Sequence, residues 1–250
     1  MEWDVQVFAL AAVAVAFAGV SKGGFGSGAA FASAAILALV MPPGQALGIM
    51  LPLLMLIDLA TLRPYWRRWD WAAGRLLILG ALPGVALGVG LWQVANDDVI
   101  RFLIGAIALA FVAWRLAEAR GLIRPALRRL GPGWGLAAGL TAGFTSFVSH
   151  AGGPPAAVYL LSGQTDKTTF QATTVLVFWI INIAKAVPYG VLGIFTAETL
   201  AANVVLAPFA LFGAWAGVKA HFLVPERTFF LLTYLLLSIT GAKLIWDALA

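Results

Sequence analysis

The sequence predicts an all-α polytopic membrane protein made of two inverted repeats, each with a broken or re-entrant helical hairpin followed by three transmembrane helices. Three observations predict this fold class. Hydrophobic residues make up 62% of the chain and charged residues only 11%, unlike a soluble domain. The charges gather in short loops between long apolar runs. A series of matching residues also recurs at a constant spacing, which indicates a duplicated half.

The apolar runs divide the chain into ten candidate segments. They lie roughly at 5–20, 29–41, 44–64, 73–93, 99–117, 134–148, 154–162, 169–193, 199–218 and 228–247. A helix needs about 20 apolar residues to cross a hydrocarbon core of about 30 Å. The runs 29–41 and 154–162 are too short for this, and each follows a glycine-rich stretch. They therefore predict broken or re-entrant helices rather than complete spans.

Basic loops predict how the chain lies in the membrane. One holds Arg63, Arg67, Arg68 and Arg75, and the other holds Arg115, Arg120, Arg124, Arg128 and Arg129. Lysine and arginine favour the cytoplasmic side, and the loop "ANDDVIR" between them is acidic. With 5–41 and 134–162 as there-and-back units, both termini are predicted outside. The acidic start of the chain argues against a signal peptide.

An internal repeat is indicated by an ordered series of matching residues. The pairs Gly19 and Gly143, Asp58 and Asn182, Pro64 and Pro188, and Tyr65 and Tyr189 share one spacing, and Pro83 with Pro208 and Gly88 with Gly213 follow after a one-residue slip. We expect a first membrane repeat over 1–117, a basic cytoplasmic linker over 118–133 and a second repeat over 134–250. An odd number of crossings per half gives the halves opposite orientations, as in many secondary transporters.

The stretch "AGVSKGGFGSGAAF", over 18–31, forms the first broken segment. It places Lys22 and five glycines inside an apolar run. Backbone left unpaired in lipid costs several kcal/mol per group, so such a break must be buried or line a wet cavity. Ser27 and Gly28 are placed to start a short helix, with Ser27 as its N-cap.

The stretch "AGFTSFVSHAGGPPAAVYLL", over 142–161, forms the second broken segment. Gly152 and Gly153 permit a sharp break, and Pro154 suits the first turn of a new helix. A short helix is therefore predicted to begin near Pro154, deep in the protein.

Two helix starts that converge from inverted halves predict a binding site for a small anion. The free N–H groups and the positive dipole end of a helix both favour negative charge. The predicted substrate-binding residues are Ser21, Lys22, Gly23, Gly24, Gly26, Ser27, Gly28, Thr145, Ser146, Ser149, His150, Gly152, Gly153 and Pro154. Other interpretations stay open: glycines can serve tight helix packing, Lys22 can snorkel to an interface, and His150 can bond a backbone carbonyl or carry a proton.

Further polar residues inside apolar runs are candidates for coupling or for the pathway. They are Asp58, Gln171, Thr174, Asn182 and Lys185. Asp58 can pair with Lys22 or Arg63, carry a proton or serve structure alone. The other four follow each other at helical spacing and share one face. That face either lines the pathway or forms a hydrogen-bonded seam between helices, and Lys185 can also snorkel outward.

The paired motifs "GVSKGGFGSGAAF" and "GFTSFVSHAGGPPAAVYLL" resemble those of the sulfite exporter TauE/SafE family, with "HAGGPP" the most specific part. The likeness covers essentially the whole chain, although Ala29 and Ala30 stand where a Gly-Pro pair is common in that family. The resemblance implies transport of sulfite, sulfonates or related sulfur-containing anions across the bacterial inner membrane, commonly outward.

The leading hypothesis is a secondary transporter of such an anion, working by alternating access around a midplane site. A passive anion channel and a transporter of a small carboxylate are the alternatives. An enzyme is disfavoured because no HExxH, GxSxG or P-loop motif appears. We expect no metal or cofactor, no nucleic-acid partner, a lipid bilayer as surroundings, and a homodimer as an open question. Lys22→Ala is expected to weaken anion movement more than folding.

Overall fold

Helices account for the secondary structure of the described residues. The structure is a computed structural model that describes residues 4–25, 29–123, 130–163, 165–223 and 226–250. The helices are α1 (Val5–Val20), continued by a π-helix (Ser21–Phe25), α2 (Ala32–Leu37), α3 (Pro43–Leu62), α4 (Trp71–Val94), α5 (Asp97–Ala119), α6 (Pro132–Ser149), α7 (Gly153–Ser162), α8 (Lys167–Val191), α9 (Ala197–Leu223) and α10 (Glu226–Leu249). Among the described residues, seven helices are long and apolar enough to cross a membrane. The predicted all-α polytopic membrane protein is confirmed.

Polar side chains fix several helix starts. Asp70 accepts the N–H of Ala73 and Asn96 accepts that of Val99, which places these residues at the N-caps of α4 and α5. Asp166 caps α8 and accepts the N–H groups of Thr168 and Thr169. Its hydrogen bonds to the side chain and backbone of Thr169 hold the pKa of the Asp166 carboxyl below its usual value. The cap of α8 therefore stays ionised at neutral pH.

The two short helices turn back beside the helices that precede them. In the first half, the Ser33 hydroxyl of α2 donates to the Ala14 carbonyl of α1 at 2.6 Å. In the second half, the N–H of Leu130, just before α6, donates to the Ser162 hydroxyl at the end of α7 at 3.2 Å. A six-residue helix is about 9 Å long and a ten-residue helix about 15 Å, so neither can cross a bilayer.

The start of α1 and the end of α10 lie on the face opposite the α3–α4 loop. That loop contacts the start of α8, where the N–H of Asp70 donates to the Thr173 hydroxyl at 2.9 Å; we call this side the basic face. The opposite face holds Met41, Arg101 and Asp247, which line one surface pocket near the end of α10. The π-helix ends near the basic face, so α1 begins on the opposite one. That both termini lie outside the cell stays a prediction.

The two halves pack reciprocally. α4 lies along α6, and α9, its counterpart in the second half, lies along α1; α3 contacts α9 just as α8 contacts α4. Each half thus supplies the same two surfaces to the other, as in a two-fold interface.

Two tyrosines at matching positions of the predicted repeat make equivalent hydrogen bonds. The Tyr65 hydroxyl donates to the Gly23 carbonyl at 2.8 Å, and the Tyr189 hydroxyl donates to the Phe147 carbonyl at 2.6 Å. Both partners in the second bond lie 124 residues after those in the first. Burial raises the pKa of Tyr65 to about 12, so its hydroxyl stays a donor at neutral pH.

Glycines allow the helices of the two halves to touch backbone to backbone. The Gly84, Gly88 stripe of α4 faces α6, and the Gly213, Gly217 stripe of α9 faces α1. The predicted packing faces are confirmed, because an added Cβ at each position would collide with the neighbouring helix.

Gly84→Ala is expected to lower the free energy of unfolding by about 1–3 kcal/mol through overpacking. Its Cβ would lie 2.8 Å from the backbone nitrogen of Phe144. Gly90→Ala, in the same helix, is the matched control, since no atom lies within 4 Å of the added carbon. The control should be neutral or stabilising by up to about 1 kcal/mol. Thermal unfolding of the two purified variants measures the difference; equal melting temperatures would contradict this account of the α4–α6 contact.

Candidate functional site

A cavity of about 290 Å³ lies at the basic face, where the two broken segments meet. It is lined by Gly24, Phe25, Phe111, Trp114, Arg115, Pro154, Ala157, Leu161, Thr165, Lys167, Phe170, Gln171, His221 and Phe230. Leu161 and Pro154 lie along one side of α7, about 10 Å apart along the helix axis. Pro154 at the start of α7 and Gly24 in the π-helix therefore border one space, as the anion-site hypothesis expects.

Basic residues give the cavity its charge. Lys167 is exposed, and its ammonium donates to the His221 carbonyl at 2.9 Å. The Arg115 guanidinium donates to the Tyr234 hydroxyl at 2.9 Å and pairs with Glu118. Of the lining residues that the structure describes, none is a carboxylate. The cavity thus favours an anion.

Aromatic rings form much of the remaining wall. Phe25, Phe111, Trp114, Phe170 and Phe230 all line the cavity. The Arg115 guanidinium carbon lies 5.6 Å from the Trp114 ring centroid and 5.8 Å from that of Phe230, within the range of cation–π attraction. A ligand in this cavity meets positive charge and apolar surface together.

Sequence reasoning missed most of this lining. From sequence, Arg115 indicates only membrane orientation, and the aromatic residues look like ordinary apolar positions in their helices. A helix end carrying Trp114 and Arg115 side by side was the one available signal. This signal does not indicate which other helix end Trp114 and Arg115 will face in the folded protein.

Lys22 forms a buried ion pair. Its ammonium lies 2.6 Å from an Asp58 carboxylate oxygen, and both side chains are at most 3% exposed. The Asn182 amide donates to the other Asp58 oxygen at 2.8 Å. The predicted pairing of Asp58 with Lys22 is confirmed, and the snorkelling interpretation of Lys22 is wrong. Lys22 does not line the cavity.

Lys185 is also fully buried, so the prediction that it snorkels outward is wrong. Its ammonium contacts the Ser146 carbonyl at 2.8 Å, the Ser146 hydroxyl at 2.9 Å and His150 Nδ1 at 2.8 Å. His150 ends α6 in the left-handed conformation, with φ 56°, and its Nε2 contacts the Leu47 carbonyl at 3.2 Å. The expected bond from His150 to a backbone carbonyl is confirmed.

The predicted polar face of α8 is buried against other helices. The Gln171 amide donates to the Lys22 carbonyl, and the Thr174 hydroxyl donates to the helix's own Gln171 carbonyl at 2.9 Å. Asn182 and Lys185 also bond to other helices. The face therefore forms a hydrogen-bonded seam between helices, which is one of the two roles that the sequence predicts for it. Gln171 also borders the cavity and so joins the seam to it.

Several of the remaining predicted site residues stabilise the helices in which they lie or the packing between helices. A Cβ on Gly23 would lie 2.5 Å from the Ala214 carbonyl oxygen, so Gly23 is a packing position. Thr145 and Ser149 donate their hydroxyls to carbonyls of α6, at 2.8 and 2.9 Å.

Several other predicted site residues lie near the breaks. Ser21 is buried in the π-helix, and Gly152 packs against Phe178. α7 begins at Gly153, which confirms the predicted start near Pro154. Gly26, Ser27 and Gly28 lie outside the described residues. α2 begins only at Ala32, with Phe31 at its N-cap position, so the predicted helix start at Ser27–Gly28 is wrong; a turn over 29–31 precedes the helix.

Comparison with known proteins gives one match. A family model described as "Sulfite exporter TauE/SafE" matches residues 11–244, nearly the whole chain. No curated protein and no solved structure matches.

Proposed function

Because the chain belongs to the sulfite exporter TauE/SafE family, whose members are membrane transporters of sulfite or related anions, we propose that it carries sulfite or a small organosulfonate outward across a bacterial inner membrane. The two halves would alternate access to a site near the midplane. The observation that carries this proposal is the basic cavity at which both broken segments meet, because Gln171 connects this cavity at the basic face to the buried seam between the halves.

The size of the cavity supports a small anion. Its volume of about 290 Å³ equals roughly ten times the 30 Å³ that a water molecule occupies in the liquid. A three-oxygen anion fits with several water molecules. The start of α7 adds a positive dipole end beside Pro154, although Pro154 and Pro155 lack N–H groups and leave Gly153 as the principal backbone donor there.

The aromatic wall supports an organosulfonate alongside sulfite. A sulfonate carries an organic group that can contact Phe111 or Trp114 while its oxygens meet Lys167. Sulfite has no such group and would leave the rings in contact with water. A small carboxylate has the same charge and remains the alternative that the experiment must test.

The contacts between halves support alternating access. Asp58 and Asn182 occupy equivalent repeat positions and bond each other. Residues related by a two-fold axis touch each other only close to that axis, so we infer that it passes near this pair. In an inverted repeat this axis lies in the membrane plane. The Asp58–Asn182 bond would then mark the midplane between the two halves.

Counterflow in liposomes tests the proposed function. Purified protein is reconstituted into vesicles loaded with unlabelled sulfite, and uptake of labelled sulfite, methanesulfonate, sulfate and acetate is measured from outside. A carrier should show faster uptake when the inside is loaded, because the loaded site reorients in both directions. Uptake that is independent of the internal anion would indicate a passive channel. A preference for acetate would overturn the substrate class.

Lys167→Gln is expected to raise the apparent KM for the transported anion about two- to fivefold, since an exposed charge contributes about 0.5–1 kcal/mol. Lys219→Gln is the matched control, because Lys219 is also exposed but lies outside the cavity lining. Initial rates in the same vesicles measure both. An equal effect of the two substitutions would show that only the overall charge matters.

A further inference from the structure

The two buried lysines near the midplane differ in their partners. Lys22 pairs with Asp58. Lys185 lies one helical turn after Asn182, and in the described part of the chain it forms no ion pair with a carboxylate. A single buried ammonium without a counter-charge is costly in a low-dielectric interior. An ammonium at Lys185 would therefore be poorly balanced in the empty protein.

The hydrogen bonds of Lys185 suit a group that gains and loses a proton. A backbone carbonyl can only accept, so His150 donates from Nε2 to Leu47 and offers the Nδ1 lone pair to Lys185. A charged Lys185 can then donate to three acceptors, namely His150 Nδ1 and the carbonyl and hydroxyl oxygens of Ser146. A neutral amine has two N–H groups and one lone pair, and the Ser146 hydroxyl can rotate to donate to that lone pair. Both states of Lys185 are fully hydrogen-bonded.

We propose that Lys185, held by Ser146 and His150, is a proton-binding site that couples anion movement to proton movement. This inference rests on the proposed function. Lys185 is neutral in the empty carrier and takes up one proton from water when an anion is bound. The proton is released to water on the other side when the anion leaves. One proton therefore accompanies each monovalent anion in either direction, and the complete cycle moves no net charge. Outward transport then requires an outward anion gradient larger than the opposing proton gradient.

Electrostatics links the two binding events. The groups that face Lys185 are Lys22 and Asp58, which balance each other, together with neutral His150 and Tyr189. An anion that enters between the halves adds the missing negative charge and favours the ammonium form. Conversely, a protonated Lys185 favours the anion. This mutual stabilisation is what coupling requires.

Uptake driven by a pH gradient tests the inference. Vesicles containing the protein are placed in a medium one pH unit more acidic than their interior, with methanesulfonate as the probe because its charge does not change with pH. One-to-one movement with protons predicts about tenfold accumulation per pH unit, unaffected by an imposed potassium diffusion potential. Accumulation that ignores the pH gradient would overturn the inference.

The variant Lys185→Arg separates coupling from transport. Arginine stays charged at all relevant pH values, so it should abolish accumulation driven by the pH gradient, and the ratio of that accumulation to the exchange rate should fall well below the parent's. Lys243→Arg, at an exposed lysine of α10, is the control and should behave like the parent. If the Lys185→Arg variant accumulated methanesulfonate under the pH gradient as the parent does, the proton site would be refuted.

A second measurement uses the parent protein alone and so does not depend on whether Lys185→Arg folds. External alkalinisation of the parent vesicles on addition of methanesulfonate is recorded with a pH electrode, and about one proton per anion is expected. No proton entry during methanesulfonate uptake would overturn the inference while the proposed function stands. No exchange of any sulfur anion by the parent would overturn the proposed function itself, and the inference with it.

Discussion

Asp58→Ala is expected to destabilise the protein by about 3–5 kcal/mol, the usual cost of leaving one partner of a buried ion pair without the other. The substitution leaves the almost fully buried Lys22 ammonium without its ion-pair partner. It also removes the acceptor of the Asn182 amide. Thermal unfolding in detergent, with the yield of monodisperse protein, measures the loss. The double variant Lys22→Met, Asp58→Leu should recover most of it, because two apolar side chains leave no buried charge.

Removal of an exposed pair provides the control. Lys243 and Asp247 lie on consecutive turns of α10, and Lys243 is 58% exposed. Asp247→Ala should cost less than about 1 kcal/mol. If Asp58→Ala were as mild, the buried pair would contribute little to stability. The structure also revises the expectation for Lys22→Ala: because Lys22 pairs with Asp58 outside the cavity, we now expect it to weaken folding at least as much as anion movement.

Ala157→Trp is expected to reduce anion transport more than tenfold while the protein still folds. Ala157 is partly exposed and points into the cavity at the middle of α7. An indole there would occupy much of the available 290 Å³ and displace the anion from the aromatic wall. Counterflow rates, normalised to the amount of reconstituted protein, measure the effect.

The neighbouring residue gives a matched control. Val158 is 43% exposed and lies outside the cavity lining. Val158→Trp adds a large ring to the same helix without entering the cavity, so transport should stay within about twofold of the parent. Similar losses in both variants would mean that α7 tolerates no large residue, and would remove the evidence that the cavity is the path.

Much of the fold could be predicted from the sequence because the bilayer imposes lengths. The apolar runs match the helices to within a few residues, and the repeat pairs led directly to the equivalent Tyr65 and Tyr189 bonds. The break at Pro154 was also predictable, since proline and glycine act on the local backbone. These features depend on local chemistry or on a spacing along the chain.

The candidate site was less predictable because its contacts join distant elements. The sequence left Lys22 several partners, and only the fold brings Asp58 within 2.6 Å of it. Lys185 seemed free to reach an interface until α6 supplied Ser146 and His150. Gly23 is one of the predicted substrate-binding residues, yet α9 lies directly against it. No local sequence pattern indicates which helix of one half will pack against a given residue of the other half.

The pairing of α1 with α9 also affects how the chain can be assembled during synthesis. α1 leaves the ribosome some 180 residues before α9, the helix that covers Gly19. At 5–20 residues per second this interval amounts to roughly ten to forty seconds. During that interval the surface of α1 that packs against α9 is without this partner. A truncated chain that ends after α5 would keep that surface uncovered, so quality control could recognise an unfinished molecule by it.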